Sequence, residues 1–201
     1  MNNLSDKKVS LILLHEIYGI NEHMKTVAAE YSKKGCEVIC PDLLRLGKPF
    51  DYSCQQEAYR YFIDNIGFER PVSEVKQLAT EAKKTYKHVI LAGYSIGATI
   101  AWLCSGEAGI CDGVICYYGS RIRDFMAIDP KCPTLLFFPS HEKSFDVLSF
   151  AGTFKKSNTE VHILNGEHGF ADPFCVNFCK ASYLQSVEIV NGFMKNILLN
   201  M

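Results

Sequence analysis

Lys87 to Leu103 reads KHVILAGYSIGATIAWL, and this stretch decides the fold. His88 to Ala92 is a short apolar run with β-branched members, the mark of a buried strand. Gly93-Tyr94-Ser95-Ile96-Gly97 follows, and then an apolar run from Ala98 to Cys104 that reads as a buried helix. A turn between strand and helix at that spacing is sharp. It strains its central residue and leaves no room for a side chain at either glycine. Strand, G-x-S-x-G and helix together form the context of a nucleophile elbow. Ser95 is then expected at the carboxyl end of its strand, its hydroxyl free and a helix N-terminus beneath it.

Outward from that stretch the chain alternates. Val9 to Leu14 reads as a buried strand and His15 to Gly19 as the loop at its end. Asn21 is placed to cap a helix whose Met24, Val27, Ala28 and Tyr31 share one face. A strand over Cys36 to Cys40 ends at Pro41-Asp42, and helical patterns cover about 55–65 and 73–84. Further strands are expected over Val114 to Tyr117, Pro133 to Phe138 and Glu160 to Leu164, with a short helix over about 145–154. The tail, about 176–199, is expected to be an amphipathic helix with Leu184, Val187, Val190, Met194 and Leu198 on its buried stripe. Strands alternating with helices imply a mostly parallel sheet covered on both faces. Without an internal repeat or linker, residues 1–201 are expected to form one α/β domain.

Composition narrows the function. A net charge of −1 argues against a nucleic-acid binder relying on a basic field. No apolar run approaches a membrane span or a signal-peptide core. The nine cysteines are therefore expected to be thiols in a reducing cytoplasm. Cys175 and Cys179 are spaced i, i+4, but no second pair completes a zinc site, so no metal is expected there.

In a parallel sheet, chemistry gathers outside the carboxyl ends of the strands. The loops there carry Glu16, Ser95, the 140–146 segment and His168. Nucleophile, acid loop, histidine is the order of an α/β-hydrolase triad. His168 follows the last strand between Gly166 and Gly169, which let the loop present its ring, so it is the candidate base. His23, His88, His141 and His162 lack that placement and read as surface or strand residues.

His15-Glu16-Ile17-Tyr18-Gly19 followed by Asn21 resembles the H-E-I-[FY]-G-x-N opening of the dienelactone hydrolase family. Pro41-Asp42-Leu43, Tyr117-Tyr118-Gly119 and His168-Gly169-Phe170 match further segments of that family, with agreeing spacing from about Val9 to Leu198. The resemblance implies an α/β-hydrolase that cleaves esters or opens lactones without metal or organic cofactor. The family's nucleophile is usually cysteine, so Ser95 makes this chain look like a serine member. The resemblance also implies that Glu16 faces the nucleophile, and that the backbone amides of Ile17 and Ile96 form the oxyanion hole. Tyr18, Tyr94 and Tyr118 are candidate pocket residues, with ordinary packing as the alternative.

Two positions depart from the family. Its acid loop usually reads G-E-K-D, whereas His141-Glu142-Lys143-Ser144 stands here. Asp146, two residues on, is the favoured acid and Glu142 the second candidate. Asp172 replaces an arginine that would hold a substrate carboxylate, which argues against an anionic dienelactone. The expected activity is hydrolysis of a small ester, lactone or thioester through an acyl-enzyme. A carboxylesterase or acyl-protein thioesterase is one alternative, and a catalytically impaired binding protein on a hydrolase scaffold is the other. Oligomeric state is not legible in the sequence.

Overall fold

The computed structural model describes residues 9–199. Six parallel strands form one sheet in the order β2-β1-β3-β4-β5-β6. They are β1 (Val9–Leu14), β2 (Glu37–Ile39), β3 (His88–Tyr94), β4 (Gly113–Tyr117), β5 (Thr134–His141) and β6 (Thr159–Glu167). The helices are α1 (Glu22–Lys33), α2 (Gln55–Tyr61), α3 (Glu69–Lys83), α4 (Ile96–Ser105), α5 (Val147–Ala151) and α6 (Lys180–Leu199). Alternate residues of the central strands face opposite ways, and both sets are buried. Ile12, Leu14, Val89, Leu91, Val114 and Leu136 join a core with α3, α4 and α5. Leu11, Leu13, Ile90, Ala92, Ile115 and Leu135 join a second core with α1 and α6. This two-faced burial is why β1 and β3 are continuous apolar runs rather than alternating ones.

Element boundaries follow local chemistry. The Asn21 side chain accepts the Met24 amide and starts α1. α3 begins four residues earlier than the sequence pattern indicates. Pro71 falls in its first turn, where a missing N–H costs nothing. The expected helix over 55–65 is α-helical only to Tyr61. A π-turn, Phe62–Ile66, follows and is closed by Gly67 in the left-handed region at φ 66°.

The stripe expected on the last helix is corrected. α6 buries Ser182, Ser186, Val190, Phe193 and Ile197, whereas Leu184 and Leu198 are exposed. Ser182 and Ser186 are small and donate to the carbonyls of Asn165 and Tyr183, so the polar turns lie against the sheet. At the far end Ile197 packs over Gly113, where a Cβ would come within 2.3 Å of its Cδ1. Ile197→Ala is therefore expected to cost about 2–5 kcal/mol. Leu198→Ala should stay within about 0.5 kcal/mol of wild type. Urea unfolding of both variants checks this, and equal losses would put the helix in the other rotation.

Candidate active site

Ser95 sits where β3 turns into α4, with φ 55° and ψ −113°, a strained backbone for a residue with a Cβ. The strain is held from both sides. A Cβ on Gly93 would lie 2.2 Å from the Gly97 carbonyl oxygen, and one on Gly97 would lie 2.3 Å from that of Leu14. The Ser95 amide donates to the Tyr117 carbonyl of the next strand at 2.9 Å. The hydroxyl is thereby raised clear of the sheet. Because the backbone of Leu14 and His15 presses on Gly97, the loop after β1 lies directly against the elbow. Ile96 is the first residue of α4, so its amide has no carbonyl four residues back to bond. The side chains of Ile17 and Ile96 share one apolar cluster beside it.

His168 Nε2 stands 3.0 Å from Ser95 Oγ, and its Nδ1 stands 2.7 Å from Glu142 Oε1. The sheet register explains this partner. β5 and β6 run on together past a bulge until His141 pairs with Glu167. The next residue on each strand is Glu142 or His168, and the two leave the sheet side by side. Gly166 and Gly169, at φ 130° and 91°, turn the loop back, and Asn177 donates to the His168 carbonyl at 2.8 Å. Burial alone depresses the imidazole's basicity. The hydrogen bond and charge of Glu142, with the charge of Glu16, outweigh it and hold the ring above its ordinary value.

Asp146 does not take part in this arrangement. It caps α5, accepting the Ser149 amide at 3.0 Å, with its carboxylate in solvent. The expected contact of Asp146 with His168 is corrected: Glu142, whose longer side chain reaches His168 from the strand end, makes it instead.

Glu16 is buried and accepts the Tyr118 hydroxyl at 2.7 Å. Burial pushes its carboxyl up to about 7, and Asp172 adds to that, while His168 and the Tyr118 bond pull the other way. His15 holds the Glu16 segment in place. Its Nε2 accepts the Leu43 amide at 2.9 Å, so Nδ1 carries the proton and donates to the Glu16 carbonyl at 2.7 Å. Tyr118 has φ 41°, a second strained residue here, and its ring centre is 4.9 Å from that of His168. Tyr18 lies against Tyr52 at the same end of the sheet. Tyr94 is different. It stacks on Tyr117 in the α1–α6 core, so its place as a pocket residue is corrected to packing.

Sequence reasoning missed His23. It reads as a surface residue, yet it is buried, 3.5 Å from Asp172 and 4.0 Å from Glu16. Burial lowers its basicity to about 4, Asp172 opposing. Tyr52 was missed as well. It reaches across from the segment before α2 and donates to the buried Asp172.

Residues 2–196 match the dienelactone hydrolase family. The chain belongs to that family. The "Uncharacterized protein YczH" of Bacillus subtilis (strain 168) is 34% identical over 188 residues, which are 92% of each chain. Among solved structures, a provisionally named dienelactone hydrolase from Klebsiella pneumoniae superposes with a TM-score of 0.77 at 16% identity, covering 94% of this chain and 87% of that one. The dienelactone hydrolase-like promiscuous phosphotriesterase P91, from metagenomic libraries, gives 0.69 at 12% identity, covering 94% and 86%. At such identities the structures show a shared fold. The family assignment makes this chain an ester-hydrolysing enzyme for small ester or lactone substrates. Among the described residues no helix is long and apolar enough to cross a membrane.

One part of the resemblance is corrected. The sequence reading placed the chain among serine-nucleophile members on the hydroxyl of Ser95 alone. A buried thiol lies beside that turn, on β4. Cys116 lies opposite Gly93 in the sheet, and its Sγ donates to the Ala98 carbonyl at 3.3 Å. Membership of the family is shown and a serine subgroup is not, so the chain is not classed in one.

Proposed function

We propose that the chain hydrolyses small, uncharged esters or lactones through an acyl-enzyme, with Ser95 Oγ as the attacking atom. The observation that carries this reading is the 3.0 Å contact between Ser95 Oγ and His168 Nε2, with Glu142 on the far nitrogen. A serine hydroxyl is too weak an acid to attack without a base in contact with it. Cys116 has no such base. Its polar contact is a carbonyl, and burial pushes its thiol well above the ordinary range.

In this mechanism His168 takes the Ser95 proton as Oγ adds to the substrate carbonyl. Glu142 steadies the imidazolium. The tetrahedral oxyanion rests on the amides of Ile96 and Ile17, the first backed by the N-terminus of α4. His168 then protonates the departing alkoxide. In the second half it draws a proton from water, which releases the acid and restores the hydroxyl. The departure at Ser144 does not remove the acid, because Glu142 fills that role, which counts against an impaired scaffold. Asp172 sits where a carboxylate-binding arginine would serve. It is fully buried and occupied with Tyr52 and the Phe174 amide, so the reading favours uncharged substrates.

A fluorophosphonate probe tests the nucleophile. Phosphonylation is expected on the peptide containing Ser95, with loss of p-nitrophenyl acetate hydrolysis in step with labelling. An adduct on the Cys116 peptide, or no adduct in an active preparation, would remove Ser95 from the mechanism. Run on the same chain, a series of neutral and carboxylate-bearing lactones should show turnover of the neutral ones alone.

A further inference from the structure

Behind the catalytic residues three buried groups converge. Glu16 Oε1 and Asp172 Oδ2 lie 4.0 and 3.5 Å from His23 Nδ1, and one donor atom from each of the three residues lies within 4.8 Å of the other two. Their residues are 5%, 1% and 0% exposed. Neither ring nitrogen of His23 has a hydrogen-bond partner, although the ring lies against two carboxylates. Among the described residues neither carboxylate pairs with a lysine or arginine. Two buried carboxylates without a cation are costly, and an unpartnered buried imidazole adds to the cost.

We propose that Glu16, His23 and Asp172 form a binding site for one divalent first-row transition-metal ion of the zinc class. One imidazole nitrogen and two carboxylate oxygens are the donors such ions take. A point central to atoms at these separations lies roughly 2.4 Å from each. Movements of a few tenths of an ångström bring that to the ~2.0–2.2 Å of zinc–nitrogen and zinc–oxygen bonds. The charges balance, since two carboxylates and a neutral imidazole meet a dication. An outer layer is also present. The Tyr118 hydroxyl donates to Glu16, the Tyr52 hydroxyl to Asp172, and Asn21 donates to Tyr52 at 2.9 Å, so both carboxylates are oriented. The ion would share Glu16 with the hydrolytic site, while Ser95, His168 and Glu142 supply no ligand to it.

The test is titration of the full chain, without a histidine tag, with Co²⁺ followed by ligand-field absorption and with Zn²⁺ followed by calorimetry. One ion per chain is expected. His23→Gln and Asp172→Asn should each weaken binding at least about tenfold with circular dichroism unchanged. Zinc-edge X-ray absorption on wild type needs no variant, and only nitrogen and oxygen neighbours are expected. No saturable binding, undiminished binding in both variants, or sulfur neighbours from a cysteine would each overturn the site. Ser95→Ala should bind the ion as wild type does, so the outcome is independent of which atom attacks the ester.

Discussion

Glu142→Gln is expected to lower kcat by roughly 10³–10⁴, the loss seen when a triad acid becomes an amide. Asp146→Asn should leave kcat within about twofold. The difference follows from geometry. Glu142 Oε1 is 2.7 Å from His168 Nδ1, whereas Asp146 faces solvent at the start of α5. Gln keeps the shape of the acid but not its charge, so the imidazolium of the transition state loses its counterion. The pH profile supplies an independent reading. Burial lowers the basicity of His168, and the Glu142 bond, the Glu142 charge and the Glu16 charge together more than reverse that. The base works only when neutral. In wild type, kcat/KM should therefore fall with decreasing pH through a midpoint above the ordinary imidazole value. In Glu142→Gln the charge is gone and the hydrogen bond is to a neutral acceptor, so both of the largest raising contributions shrink and that midpoint moves to lower pH. Asp146→Asn should show only a weaker helix cap, about 1 kcal/mol or less in thermal unfolding. If Asp146→Asn lost activity as Glu142→Gln does, the acid would have to come from the α5 cap after a rearrangement of the loop.

The acid shows where sequence reading stops. Asp146 is favoured from sequence because aspartate is the family's usual acid and the loop looked free to bend. The deciding fact is a register. β5 does not end at Phe138 but runs on to His141 opposite Glu167, which sets Glu142 beside His168. No periodicity in the sequence carries that pairing. The elbow was legible for the opposite reason. Its requirements are local, with two glycines facing backbone at 2.2–2.3 Å and a strand and helix contiguous with them.

Tertiary context also decides the α6 face and the cluster behind the site. Leu184 and Leu198 form an acceptable helical stripe, but a neighbouring stripe with two serines is the buried one. The small hydroxyls allow close approach and bond to carbonyls, which an apolarity pattern does not count. His23 precedes Met24 on the buried side of α1, and its polarity hid its burial. Asp172 is buried because Tyr52 meets it from 120 positions away, a contact that only the fold creates.

Ser95→Ala carries the largest expected effect. If Oγ is the attacking atom, kcat should drop by about 10⁴–10⁶, with the residual rate coming from the oxyanion site and binding alone. The fold should be unaffected. Alanine meets the same backbone strain at φ 55° that serine already bears, and the 2.9 Å bond from the residue 95 amide to Tyr117 is main-chain. Thermal unfolding should accordingly stay within a few degrees of wild type. Cys116→Ser is the matched control. Its hydroxyl can donate to the Ala98 carbonyl as the thiol does, so activity should persist while stability changes modestly. The reverse pattern, with Cys116→Ser inert and Ser95→Ala active, would assign the reaction to the thiol. Ser95→Cys sharpens the comparison. A thiol at that position would contact His168 Nε2, which stands 3.0 Å from the serine oxygen, and would lose its proton far more readily than a hydroxyl does. It should become the chain's most iodoacetamide-reactive cysteine and still transfer acyl groups. The wild type should keep its activity in the same reagent, because position 95 carries a hydroxyl and Cys116 beside it is buried, even though other thiols of the chain are accessible.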